Sequence, residues 1–199
     1  MAAHSTAEPQ GMTNSMLGFI LFLASEIMFF GGLFAAYFIA RADAPAWPPA
    51  LSPEQIAEGV HLEIEILLPA ISTGILVISS ITIQWAVWQI QKGNQSGMLW
   101  GLFISLALGL IFLAAQLFDY TQLHFLADDT IYGTTFYTLT GFHGAHVAGG
   151  ALFIGVVTVR ALGGQFTAEN HEAVEACSMY WHFVDVVWIA LFIVLYIIK

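Results

Sequence analysis

Charge is the scarcest property of this 199-residue chain: 9% of its residues are Asp, Glu, Lys or Arg, and only 4 are basic. Soluble domains carry roughly 25% charged residues, so a water-facing surface cannot be built from this composition. The 4 Lys and Arg stand against 14 Asp and Glu, a formal charge of −10, which leaves no basic footprint for nucleic acid. Cysteine is almost missing. Cys177 stands alone, which excludes an internal disulfide and any CxxC pair for zinc or redox work. Residues 1–14 contain His4, Glu8 and Pro9 but no Lys or Arg. A signal peptide needs a basic n-region, so this segment reads as a short tail before an uncleaved first span.

What the chain has instead is apolar length. Hydrophobic residues make up 58% of it, and they gather in runs long enough to cross a bilayer, for which about 20 residues suffice. Five spans are expected, over about 15–40, 65–90, 98–123, 133–162 and 170–198. The loop from Arg41 to Leu62 opens with Pro45, Trp47, Pro48, Pro49 and Pro53, which oppose regular helix in its first half. The acids Glu54, Glu58, Glu63 and Glu65 crowd its second half. Lys92-Gly93-Asn94-Gln95-Ser96-Gly97 is a compact turn, which makes spans two and three antiparallel neighbours. Continuous apolar stretches such as Ile66–Leu68 and Ile75–Ile78 lack the alternation of barrel strands. Helices satisfy their own backbone in lipid, so the expected architecture is all-α: one polytopic membrane domain, 15–199, with five transmembrane helices.

Orientation is not fixed by charge. Lys92 and Arg160 fall on one side, Arg41 and Lys199 on the other, and the positive-inside count ties. Five is odd and no internal repeat is visible, which does not support an inverted-repeat transporter.

The ionisable groups inside the spans carry the functional signal. Glu26, His143 and His182 each lie about 15–18 Å into their helices, near the middle of a ~30 Å core. His143 and His146 share a helix face by spacing, and Glu175, His182 and Asp185 form a polar stripe on the fifth span. That stripe is expected to point into the bundle towards His143, His146 or Glu26. Gln116 and Asp119, with Tyr120, add polarity near the end of the third span. Three chemistries fit such groups: interhelical hydrogen bonding, a proton-conducting or proton-buffering cluster, or metal or haem ligation through His143, His146, His182 and Asp185.

Other residues read as packing. Trp181 and Trp188, one heptad apart, suit a common packing face, while Trp47, Trp85, Trp88 and Trp100 suit an interfacial belt. Gly31-Gly32, Gly141, Gly144 and Gly149-Gly150 are expected to let helices approach closely.

Four segments carry a family pattern. Ser25-Glu26-Ile27-Met28-Phe29-Phe30 resembles the glutamate-bearing helix of subunit III of haem–copper terminal oxidases, and Trp47-Pro48-Pro49 resembles that family's Trp-Pro-Pro loop. Two longer segments look like its remaining hallmarks. The first is Tyr132 to Tyr137 followed by Thr140-Gly141-Phe142-His143-Gly144-Ala145-His146-Val147; the second is Tyr180-Trp181-His182-Phe183-Val184-Asp185-Val186-Val187-Trp188. The four occur in family order across 17–196, and the chain is similar to the short, five-helix bacterial form that lacks the first two of seven helices. Asp119 stands where relatives commonly have Glu.

The resemblance implies a non-catalytic core subunit of a proton-pumping oxidase, with the cytochrome c branch favoured over the quinol one and the donor itself left open by the sequence. Haems and copper are then expected in partner subunits, with no catalytic, metal or cofactor-binding residue in this chain. Implied partners are subunit I by direct packing, subunit II, small subunits and membrane phospholipid, with no nucleic acid. Its implied work is to stabilise subunit I, sustain proton uptake and hold lipid that guides oxygen. The resemblance implies a bacterial plasma membrane (or a thylakoid), and family parity implies a cytoplasmic N-terminus and an outer C-terminus. The competing readings are a stand-alone transporter or proton channel and a relative associated with nitric-oxide reductase.

Overall fold

The computed structural model describes residues 13–62 and 64–198. Residues 1–12 of the expected tail, with His4, Glu8 and Pro9, lie outside the described residues, as do Glu63 and Lys199. The elements are α1 (Asn14–Asp43), α2 (Pro53–Ala57), α3 (Leu67–Gln91), α4 (Gln95–Gln122), α5 (Ile131–Leu162) and α6 (Glu172–Phe192), which continues as a π-helical segment, Ile193–Ile197. All but α2 are long and apolar enough to cross a membrane. Outside helices, a single antiparallel bridge, His61 to His124, is the one β-type pairing among the described residues.

Local chemistry sets where each helix begins. Thr13 caps α1 by accepting from the Met16 amide at 3.1 Å, Asn94 caps α4 through the Gly97 amide at 3.0 Å, and Thr130 caps α5 through the Gly133 amide at 3.0 Å. Between α3 and α4 only Lys92, Gly93 and Asn94 remain, with Gly93 at φ 74°, a conformation glycine adopts without strain.

The short α2 departs from the sequence reading. Pro53, expected to oppose helix, opens one, because proline is tolerated where the first helical amide has no partner anyway. Ser52 accepts from the Gln55 amide at 3.2 Å while the Gln55 side chain accepts from the Ser52 amide at 2.8 Å, a complete capping box.

In lipid there is little hydrophobic gain from helix association, so close packing and buried hydrogen bonds must hold the bundle. α3 and α4 meet at Gly101, where an added Cβ would stand 2.6 Å from the Ala86 Cβ. The Thr82 and Ser105 hydroxyls bond at 2.7 Å in the same seam. α6 is the most enclosed helix. Its Trp181 ring is wedged between Gly109 of α4 and Gly150 of α5, and its Nε1–H donates to Ser79 of α3 at 2.8 Å. Trp188 donates likewise to Thr73 of α3 at 2.9 Å, so the two tryptophans share a packing face.

The glycine expectation is corrected in part. Gly31, Gly32, Gly141 and Gly144 face open space and Gly149 meets only the Tyr180 hydroxyl, at 3.4 Å, while close approaches between helices include Gly150 and the unanticipated Gly101 and Gly109. Trp85, Trp88 and Trp100 are exposed; Trp47 packs between Tyr37 and Tyr132 and donates to the Tyr37 hydroxyl at 3.0 Å. α1 lies at the periphery, resting on α5 and α6, and buries only Phe30 and Tyr37.

Candidate functional site

Glu26 lies in the middle third of α1, one turn before Phe30, and faces α5. Its Oε2 stands 2.9 Å from His146 Nε2. His146 Nδ1 stands 2.6 Å from the Phe142 carbonyl oxygen. A carbonyl can only accept, so Nδ1 carries a proton and donates it. The Nε2 contact then holds one further proton, on either the acid or the ring. In both cases the pair has no net charge, which suits its depth in lipid. Phe30 and Phe29 flank the imidazole at ring distances of 4.9 and 6.1 Å. The side chains of His146 and Glu26 remain 17% and 20% exposed, so the pair sits at the margin of the bundle and not at its centre.

His143 goes elsewhere. Residues three apart on a helix are still separated by roughly 60° around its axis. His143 uses that rotation to enter the core, where it is fully buried and stacks on Trp188 at 5.0 Å, with Phe112 edge-on at 6.0 Å. Neither of its ring nitrogens has a hydrogen-bond partner.

The α6 stripe faces α3. His182 Nε2 donates to Gln84 Oε1 at 3.1 Å, and Ser178 donates to the same oxygen at 3.5 Å. Asp185 is buried, with Ser80 of α3 as its hydroxyl neighbour. Glu175 belongs to the first turn of α6, where it meets His171 Nε2 at 3.1 Å and Gln91 Nε2 at 3.0 Å. The expectation that Glu175, His182 and Asp185 point towards His143, His146 or Glu26 is therefore corrected. Spacing places the three on one face but does not say which neighbour that face meets. Gln84 was the missed partner; an amide in the middle of an apolar span was the signal that could have found it.

Near the far end of α4, Gln116 and Asp119 are buried. Tyr196 donates to Asp119 Oδ2 at 3.4 Å, joining the π-helical segment to α4, while the adjacent Tyr120 donates to Thr140 of α5 at 2.8 Å. The polar residues thus form four separate sets, each tying two helices or one helix to the core. Among the described residues no three His, Cys, Asp or Glu side chains converge as a metal-ligand set. Between α1 and α6 runs an apolar groove of about 520 Å³, lined by Ile27, Phe30, Phe34, Phe183 and Val186, with His182 on its wall.

The family described as Cytochrome c oxidase subunit III matches residues 1–199. Cytochrome c oxidase subunit 3 of Equus caballus is 40% identical over 184 residues, covering 90% of this chain and 67% of the relative. That of Loxodonta africana gives the same figures, and that of Damaliscus lunatus is 38% identical over 198 residues, covering 97% and 72%. With a match along its whole length and relatives at this identity, the chain belongs to the cytochrome c oxidase subunit III family.

Proposed function

We propose that this chain is the non-catalytic third core subunit of a haem–copper terminal oxidase. It packs beside the catalytic subunit, holds it in a stable form and supports its proton uptake. The family match over residues 1–199 carries the reading. The use made of the mid-membrane groups supports it. Glu26 is engaged with His146, His182 with Gln84, and the two buried tryptophans with hydroxyls of α3. Groups committed to interhelical contacts suit a scaffold. Haems and copper belong, on this reading, to partner subunits. The apolar α1–α6 groove has the volume and lining to take phospholipid acyl chain.

The test is to purify the oxidase with and without this chain. Haem and copper content per catalytic subunit should be unchanged, while oxygen consumption should fall and decay faster during turnover. Loss of all haem together with the chain would contradict a supporting role.

A further inference from the structure

From its cap to mid-membrane, α6 carries a polar residue at every turn: His171, Glu175, Ser178, His182 and Asp185 follow one another at steps of three or four residues. Gln91, Gln84 and Ser80 of α3 stand opposite. A cleft of about 360 Å³ opens on the first half of this ladder, at the end of the bundle where α6 starts. Gln84, Gln91, Glu175 and Ser178 line it, with Met16 and Ile20 of α1. Asp185 lies about 15 Å further along the helix than Glu175 and is only 7% exposed. Its Oδ1 has no hydrogen-bond partner, and neither has the buried Ser80 hydroxyl beside it. A bare carboxyl oxygen inside an apolar bundle calls for a proton or a water molecule. On the far side the next turn of α6 brings Trp188, whose ring packs on Phe112 and His143 and closes the ladder.

We propose that Asp185 is a proton-binding site fed by water from the α6 N-terminal end, with His182 as its relay. His182 Nε2 carries the proton it donates to Gln84 at 3.1 Å, which leaves Nδ1 as the open base of the ring. Asp185 follows three residues on, along the same face. A proton leaving Asp185 goes to Nδ1 while the Nε2 proton passes to water in the cleft. The carboxyl becomes a carboxylate, the ring stays neutral with its proton on the other nitrogen, and the water becomes hydronium; uptake is the reverse. Glu175 and His171, paired with each other, flank the mouth of the cleft where that proton meets bulk water. Among the described residues, the other acids and imidazoles of the packed helices are turned elsewhere. α3 has none, Asp119 of α4 is held by Tyr196, His143 of α5 is stacked on Trp188, and Glu26 of α1 is paired with His146 of α5. Use of this proton by the oxidase rests on the supporting role proposed above, whereas the exchange itself belongs to this chain.

The test is infrared spectroscopy of membranes containing the assembled full-length chain, with the Asp185 carboxylic C=O band identified as the one lost in Asp185→Asn. That band should fall as the pH is raised, and in D2O it should shift within the time of buffer exchange. In His182→Gln, which cannot relay a proton, the band should keep its position while the D2O shift slows by about tenfold or more. Gln116→Leu, beyond the Trp188 layer, should leave the rate of the shift unchanged. The readout does not require oxygen consumption, so it stands or falls separately from the supporting role. Absence of an Asp185 band at every pH, a band that ignores D2O, an equal rate in His182→Gln, or a slower one in Gln116→Leu would each overturn the proposal.

Discussion

An acid halfway through lipid costs about 2.5–3.5 kcal/mol on insertion scales unless something neutralises it. Glu26 meets that cost by sharing one proton with His146 across 2.9 Å, since His146 Nδ1 is already committed to the Phe142 carbonyl. The chemistry predicts a graded mutational response. Glu26→Gln can donate an amide N–H to His146 Nε2 and should keep the chain in the complex after detergent extraction at close to the normal level. Glu26→Leu leaves that nitrogen without a partner and should cost about 1–2 kcal/mol of interhelical stability, read as reduced retention. Equal retention of both variants would mean that the pair does not join α1 to α5. Much of this site was legible: Glu26 and His146 stand out as ionisable residues in apolar runs. Their pairing was not, because period and depth constrain a residue's height and face but not its neighbour. His143 makes the same point, turning to Trp188 although His146, three residues on, turns to Glu26.

Among the elements, α6 is held by fit. An added Cβ at Gly109 would lie 2.6 Å from the Trp181 ring, and one at Gly150 would lie 2.8 Å from it on the other side. The ring cannot swing aside without losing its 2.8 Å bond to Ser79. Gly109→Ala should therefore destabilise the bundle by about 1–3 kcal/mol, as overpacking does, and lower its thermal midpoint. Combining it with Trp181→Leu, which vacates the contact, should give a loss clearly smaller than the sum of the two. Strict additivity would place the ring elsewhere. That five helices are long and apolar enough to cross a membrane was legible in the apolar runs, because lipid admits only helices or closed barrels and the runs lack barrel alternation; Lys92 to Gly97 contains the α3–α4 turn. The details missed were local. The Ser52-Pro53-Glu54-Gln55 run is a helix start that a proline-as-breaker reading overlooks. Gly101 and Gly109 became important only once the facing residues, Ala86 and Trp181, were known.

Across the whole molecule, four well-packed helices carry a fifth, α1, that leaves most of its surface and one wall of an apolar groove uncovered. In a membrane such a chain is suited to adhere to a larger assembly, and the proposed role as a supporting oxidase subunit gives that surface a use. Family membership was readable from four segments, which hold Glu26, the Trp47 loop, the His143–His146 pair and the His182–Asp185 pair. The most direct test is affinity purification from detergent-solubilised membranes through a tag on this chain. The account predicts a stoichiometric haem–copper polypeptide and oxygen consumption in the eluate. Recovery of the chain by itself, or with haem or copper bound to it in the absence of other subunits, would contradict the account.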